Sequence, residues 1–114
     1  MRAATKAIAR EIAAERERQQ VVELHFPAND DRYVQGELAR AASAYALYGG
    51  LHEHDRDVAK KFGPRRYGAN LLWPWDDEHF KLTNPRRDLI KAAALIVAEI
   101  ERLDRAAANG EGSE

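Results

Sequence analysis

Apolar side chains recur every three or four residues in three stretches of the chain, which is the spacing of amphipathic α-helices. The stretches cover residues 3–20, 29–48 and 84–107. Glycine and proline cluster between the second and third stretches, where the apolar periodicity is lost. The pattern therefore predicts an all-α fold: a small single-domain bundle of about three main helices, with a long irregular loop between the second and last helix.

The first helix is rich in alanine, glutamate, arginine and glutamine, which favour helix formation. Its predicted core stripe, at helical spacing, is Thr5, Ile8, Ile12, Glu15, Gln19 and Val22. A buried Glu15 or Gln19 would need a hydrogen-bond partner. We therefore expect the end of this helix to emerge into water, with burial of both side chains as the alternative.

The second helix is predicted to start at Asn29, Asp30 and Asp31, which offer an N-cap and acids for the positive end of the helix dipole. It should continue to about Tyr48. The predicted core face is Val34, Leu38, Ala41, Ala42, Tyr45 and Tyr48, with Ala39, Ser43 and Ala46 beside it. Gly36 falls inside this helix, and we attribute it to tight packing against a neighbour.

The last helix has the clearest start, because Asn84 is a good N-cap, Pro85 suits the first helical position, and Asp88 adds an acid to the first turn. The predicted core stripe is Leu89, Ala93, Ile96, Val97, Ile100 and Leu103, and Ala94, Leu95 and Ala98 make the opposite side apolar too. A helix that is apolar on two sides is central or lies in an interface. We therefore expect a homo-oligomer.

The segment 49–70 contains five glycine or proline residues and alternating charges, so it reads as an exposed loop in which 57–62 could form a helical turn. The tail, 108–114, has two glycines and is predicted to be disordered after a single helical domain over 1–107.

The composition argues against several classes of function. With 18 basic and 19 acidic side chains the net charge is −1, so we expect no stable nucleic-acid binding and no electrostatic attachment to a membrane. The chain has no cysteine, lacks a seven-residue apolar stretch near its N-terminus, and contains no run of eighteen apolar residues. These features predict a cytoplasmic protein without a membrane span.

Aromatic, acidic and basic side chains are most concentrated in the segment 73–87, whose sequence is WPWDDEHFKLTNPRR. A helix N-terminus attracts anions, and flat rings can stack on a base. The candidate ligand-binding residues are Trp73, Trp75, Phe80, Lys81, Asn84, Arg86, Arg87 and Lys91, with Tyr33 or Glu37 completing the pocket. The alternative is structural: the tryptophans close the core, and the arginines pair with Asp76, Asp77 and Glu78.

The sequence gives only weak signals for a metal site or a catalytic site. The segment HEHD at 52–55 offers imidazoles and carboxylates, but no further ligands stand at a recognisable spacing, so we favour a solvated loop and predict no metal site. A magnesium-dependent nucleotide hydrolase would use Glu11, Glu15, Glu37 and Asp104, but its paired ExxE and ExxD signature is not met. No P-loop, nucleophile elbow or HExxH is present. We expect neither catalysis nor a cofactor.

Three blocks of the sequence are ERERQQ, NDDRYVQGELARAASAYA and LLWPWDDEHFKLTNPRRDLIKAAALIVAEIERLDRA. They resemble a family of small phage and prophage proteins of unassigned function, although that family tends to have a proline at position 82 and a tryptophan at position 80. Residues 71–100 are also similar to the second half of the ryanodine-receptor repeat (RyR) domain, which implies a helical module for a nucleotide derivative.

Taken together, the site and these resemblances predict a phage-encoded protein of the host bacterial cytoplasm. It would sequester a nucleotide-derived immune signal, of the cyclic-nucleotide or ADP-ribose type, without catalysis. The alternatives are a phage accessory protein that binds a host protein and the magnesium-dependent hydrolase.

Overall fold

A computed structural model describes residues 2–22, 30–63 and 72–110. Their helices are α1 (Ala3–Val22), α2 (Glu37–Gly49), α3 (Glu53–Phe62) and α4 (Pro85–Ala108), with a 3-10 helix at Asp77–His79. No strand occurs in these ranges. The all-α prediction is confirmed, and α3 adds a helix where an irregular loop with one helical turn was expected.

The core lies between α2 and α4. Its buried residues are Leu38, Ala41, Ala42, Ala44, Tyr45, Trp73, Ala92, Leu95 and Ala98. Alanines on the facing sides of both helices let the backbones approach closely. A Cβ at Gly49, the last residue of α2, would lie 2.9 Å from Leu89 Cδ2 and 3.5 Å from the carbonyl oxygen of Pro85. The end of α2 therefore meets the start of α4, and the two helices run antiparallel.

Helix α1 lies across α4. Its Glu15 contacts Arg87, and Gln19 Nε2 donates to the carbonyl of Lys91 at 3.4 Å. Arg16, between them in sequence, reaches Glu101, which is ten residues further along α4 than Lys91. The contacts of α1 with α4 therefore extend from the first turn of α4 to Glu101.

The prediction for the polar positions of α1 is wrong. Glu15 and Gln19 are 1% and 2% exposed, whereas Thr5 is exposed and Ile8 is 43% exposed. Residues 3–10 of α1 are all exposed, so it is the N-terminal half of the helix that faces water. Glu15 and Gln19 are buried because each finds hydrogen-bond partners at the crossing.

The predicted start of the second helix is also wrong. Helix α2 begins at Glu37, and Gly36 is its N-cap with φ of 84°. That left-handed conformation cannot continue a right-handed helix, and glycine adopts it without steric cost. A Cβ on Gly36 would meet only the Arg40 side chain, at 4.0 Å, so tight packing is not the reason for this glycine. Val34 lies before the helix and is exposed.

For α4 the start is confirmed, but the assignment of its faces is reversed. Leu89, Ile96, Ile100 and Leu103 are between 48% and 52% exposed, while Ala94, Leu95 and Ala98 are buried. The alanine-rich side fits the alanine-rich face of α2, which leaves no room there for the bulkier stripe. The large side chains consequently point outward.

The C-terminal region is described as far as Gly110. Helix α4 extends to Ala108, one residue beyond the predicted end, and Asn109 is its C-cap. The rest of the predicted tail, 111–114, and the predicted cap Asn29 lie outside the described residues. Among the described helices, none combines the length and apolar character needed to cross a membrane.

Candidate functional site

Trp73 belongs to the core. It is 5% exposed, and its ring contacts Phe80 at 4.8 Å and Tyr45 at 5.6 Å between centroids. Its indole Nε1 donates to the carbonyl of Asp76 at 3.0 Å, so the one polar atom of the ring has a partner. Trp73 therefore closes the core over α2, and its faces are not presented to a ligand.

Trp75 and Tyr33 lie together at the edge of this aromatic group. Their ring centroids are 5.4 Å apart, and both residues are half-buried. Burial, together with the negative charge of Asp30, raises the pKa of Tyr33 above its ordinary value. Tyr33, which was expected to complete a ligand pocket, thus packs on Trp75, and Trp75 is the tryptophan that keeps part of its surface in water.

Phe80 and Glu37 have structural partners. Phe80 stacks on Tyr45 with centroids 5.0 Å apart and an angle of 28°. The Glu37 carboxylate accepts from the backbone N–H of Gln35 at 2.8 Å. This bond fixes the turn that enters α2.

The N-terminus of α4 is capped by hydrogen bonds from residues of the same chain. Asn84 Oδ1 accepts from the N–H of Arg87 at 2.9 Å. Asp88 is fully buried, and its Oδ1 accepts from the N–H of Thr83 at 3.0 Å and from the hydroxyl at 3.3 Å. The segment before the helix is therefore tied to its first turn.

Arg86 and Arg87 bind acids of α1, not the predicted Asp76, Asp77 or Glu78. Arg86 donates two hydrogen bonds to Glu11, of 2.8 and 2.5 Å, in a pair exposed to solvent. The Arg86 hydrogen bonds lower the pKa of Glu11. Arg87 donates to the buried Glu15. Both cations thus fasten α1 to the start of α4.

Lys91 is nearly buried, and its Nζ donates to the carbonyl of Lys81 at 2.6 Å while lying 5.4 Å from the Tyr45 ring centroid. The N–H of Lys81 donates to the Tyr45 hydroxyl at 3.0 Å, and the rest of Lys81 is exposed. Lys91 and Arg87 share a face, as predicted from their spacing, but that face is turned toward α1 and the core.

Glu15 is the centre of an ion-pair network that the sequence did not reveal. Arg18 binds both of its carboxylate oxygens at 2.8 Å, Gln19 donates to it at 3.1 Å, and Arg87 contacts it from α4. Burial raises the pKa of Glu15, but hydrogen bonds and charge from Arg18, with the charge of Arg87, outweigh burial and leave the pKa below its ordinary value. In the sequence, the signal for the burial of Glu15 was its position on the apolar face of α1.

A second buried pair joins α3 to the rest of the fold. Arg56 is 4% exposed and donates to the Asp88 carboxylate and to the backbone carbonyl of Tyr48. Asp88 was expected to act only on the helix dipole. Nothing in the pattern around Arg56, within a loop-like segment, distinguished it from a surface arginine.

The carboxylates considered for metal binding are dispersed. Glu11 and Glu15 are each engaged by arginines, and Glu37 binds the backbone. His52 is the N-cap of α3, so HEHD begins a helix and is not a loop. Within 2–22, 30–63 and 72–110, no three histidine, aspartate or glutamate residues form a group that could hold a metal ion.

The most distinctive surface is the outer side of α4. We call it the outer row and define it as Leu89, Ala93, Ile96, Ile100 and Leu103. Its four large side chains are each about half exposed, at 48–52%. Beside it, next to Val97, a groove between α1 and α4 is lined by Ala9, Ile12, Ala13, Arg16 and Glu101, among others. Contiguous apolar surface of this kind marks association sites.

No protein-family model matches the sequence, and no curated protein or solved structure is significantly similar to it.

Proposed function

We propose that this chain is a non-catalytic interaction protein that binds another protein chain through the outer row of α4. The observation that carries the proposal is that four large aliphatic side chains are each about half exposed along one face of the helix whose other face forms the core. Covering this row removes apolar surface from water, which is the main driving force of association.

The contacts of the charged candidates support this assignment. Arg87 and Lys91 serve the fold, because each is held by a partner within the chain. Trp73 is enclosed by other rings. Among the described residues, Val34 and Phe62 are also exposed, but the outer row is distinguished by four large apolar side chains exposed along one helix face.

The test is a pull-down of tagged protein co-expressed with an untagged copy in a bacterial host. Wild type is compared with Ile96→Lys, in the row, and with Ala39→Lys, a matched control on the exposed side of α2. We expect wild type and Ala39→Lys to retain the same protein, the untagged copy or a host protein, and Ile96→Lys to lose it. Equal recovery with all three baits would overturn the proposal.

The second candidate is sequestration of a nucleotide-derived bacterial immune signal, for which the similarity of residues 71–100 to the RyR domain implies the nucleotide-type ligand. Arg86 favours it, because this cation at the start of α4 is held only by an exposed pair with Glu11, and such pairs contribute little. A phosphate could displace the Glu11 carboxylate there. Trp75 is half-buried, and a base could stack on the part of its ring that stays exposed to water.

Calorimetry of wild type and Arg86→Ala against a panel of cyclic and linear nucleotides tests this candidate. Micromolar binding that Arg86→Ala abolishes would support sequestration. Absence of binding heat with wild type at micromolar ligand would eliminate it.

A further inference from the structure

The outer row has the spacing of a coiled-coil seam. Its members are separated by four, three, four and three residues, and a further step of four reaches Ala107, which is also exposed. A 4-3 alternation keeps one narrow stripe facing a partner helix. The seam positions from Leu89 to Ala107 contain only leucine, isoleucine and alanine. Its occupant is therefore expected to be another helix with an apolar stripe.

The order of large and small residues along the row is complementary to the same row in a second copy that runs in the opposite direction. If two copies of α4 run antiparallel with Ile96 against Ile100 of the partner subunit, Ala93 lies against Leu103 and Leu89 against Ala107. Each alanine then receives a leucine, so the interface fills evenly. In a parallel pair Ala93 would face Ala93 of the partner subunit and leave a gap in the seam.

Charges beside the row are compatible with this pairing. Glu99 precedes Ile100, and a two-fold axis near the middle of the row brings the two Glu99 residues toward each other. Each Glu99 is bound by Arg102 of its own helix, at 2.8 Å through both oxygens. The Glu99 side chain is also only 14% exposed, so it brings little unpaired charge to the seam.

We infer that the partner of the outer row is a second copy of this chain, packed as an antiparallel two-helix seam about a two-fold axis near the middle of α4. This inference rests on the proposed function and gives that function its partner. A two-fold axis makes the same patch serve both protomers.

The register can be tested by disulfide formation, because the chain has no native cysteine. Positions 93 and 103 are about 15 Å apart along one helix, too far for a bond within a chain. The antiparallel register places 93 against 103 of the partner. The double variant Ala93→Cys/Leu103→Cys should therefore become mostly covalent dimer under mild oxidation, with the 93–103 linkage found by mass spectrometry.

The single variants are the controls. Ala93→Cys alone should stay largely monomeric on a non-reducing gel, since its thiol faces Leu103 and not its own copy. Efficient 93–93 linkage in that variant would show a parallel pair and overturn the inference, as would absence of any 93–103 bond in a double variant that is folded by circular dichroism. If the pull-down still depended on Ile96 in that case, the proposed function would stand with a different partner.

Discussion

Arg56 in α3 and Asp88 in the first turn of α4 form a buried ion pair between residues 32 positions apart in the chain. The same guanidinium also binds the Tyr48 carbonyl near the end of α2. One side chain thus joins three helices. The other Asp88 oxygen holds Thr83, so the segment leading into α4 is fixed by the same network.

Removing Arg56 should consequently destabilise the whole fold. Arg56→Ala leaves Asp88 buried without its cation, and breaking a buried pair in this way costs about 3–5 kcal/mol. Urea unfolding followed by circular dichroism measures the loss. Arg86→Ala, which removes an exposed arginine of the same helix end, is the control and should change the unfolding midpoint little. Equal effects would contradict the role assigned to Arg56.

Glu15 should make stability depend on pH. Its pKa in the folded state is lowered from 4.5, so folding favours the ionised form. That contribution is fully present above pH 4.5 and is lost as the pH falls below it toward the folded-state pKa. Glu15→Gln, which cannot titrate, should be less stable than wild type at pH 7 by about 1.5–3 kcal/mol, because it loses hydrogen bonds to a charged group while Arg18 and Arg87 keep access to water.

The difference between wild type and Glu15→Gln should shrink as the pH is lowered from 5 to 3. Urea midpoints measured at each pH give the comparison. A difference that stays constant over this interval would show that the Glu15 charge is not what the network stabilises.

The two tryptophans should respond unequally to substitution. Trp73→Ala removes a ring enclosed by Tyr45, Trp75 and Phe80, and large-to-small changes of this kind cost about 3–5 kcal/mol. Trp75→Ala removes a half-buried ring and should cost less. Thermal unfolding of both variants makes the comparison. A larger loss for Trp75→Ala would contradict the assignment of Trp73 to the core.

Replacing Gly36 should destabilise the fold because of the backbone conformation at this position. An L-residue at φ of 84° is strained, so Gly36→Ala should lose about 1–2 kcal/mol. Gly36→Asn should lose less, because asparagine tolerates the left-handed region better. A loss for Gly36→Asn in chemical denaturation as large as that for Gly36→Ala would contradict the backbone explanation.

Local signals allowed prediction of much of the fold. Asn84 and Pro85 mark the start of α4 through caps that depend only on neighbouring residues. The start of α2 was harder to predict, because Gly36 resembles a helix interior in its sequence context and only its φ shows the break. The outer row was taken for the core because periodicity locates an apolar stripe without saying which of two stripes meets a neighbour.

The candidate site was predicted in parts. The sequence placed Asn84, Arg86 and Arg87 correctly at a helix start, but their acidic partners come from α1, more than seventy residues earlier. Such long-range pairing depends on how α1 crosses α4, which no local pattern encodes. Trp73 and Trp75 are two residues apart and have different environments, because Trp73 packs on Tyr45 of α2 and Trp75 packs on Tyr33 at the edge of the aromatic group.

The central claim is that the outer row of α4 is covered by another copy of the chain, and the molar mass in solution tests it most directly. Light scattering of wild type, Ile96→Lys and Ala39→Lys should give twice the 12.9 kDa chain mass for wild type and Ala39→Lys. Ile96→Lys should give the single-chain mass while remaining helical. A wild-type protein that stays at the single-chain mass up to about 100 µM, a concentration at which a micromolar interaction is nearly saturated, would contradict the claim.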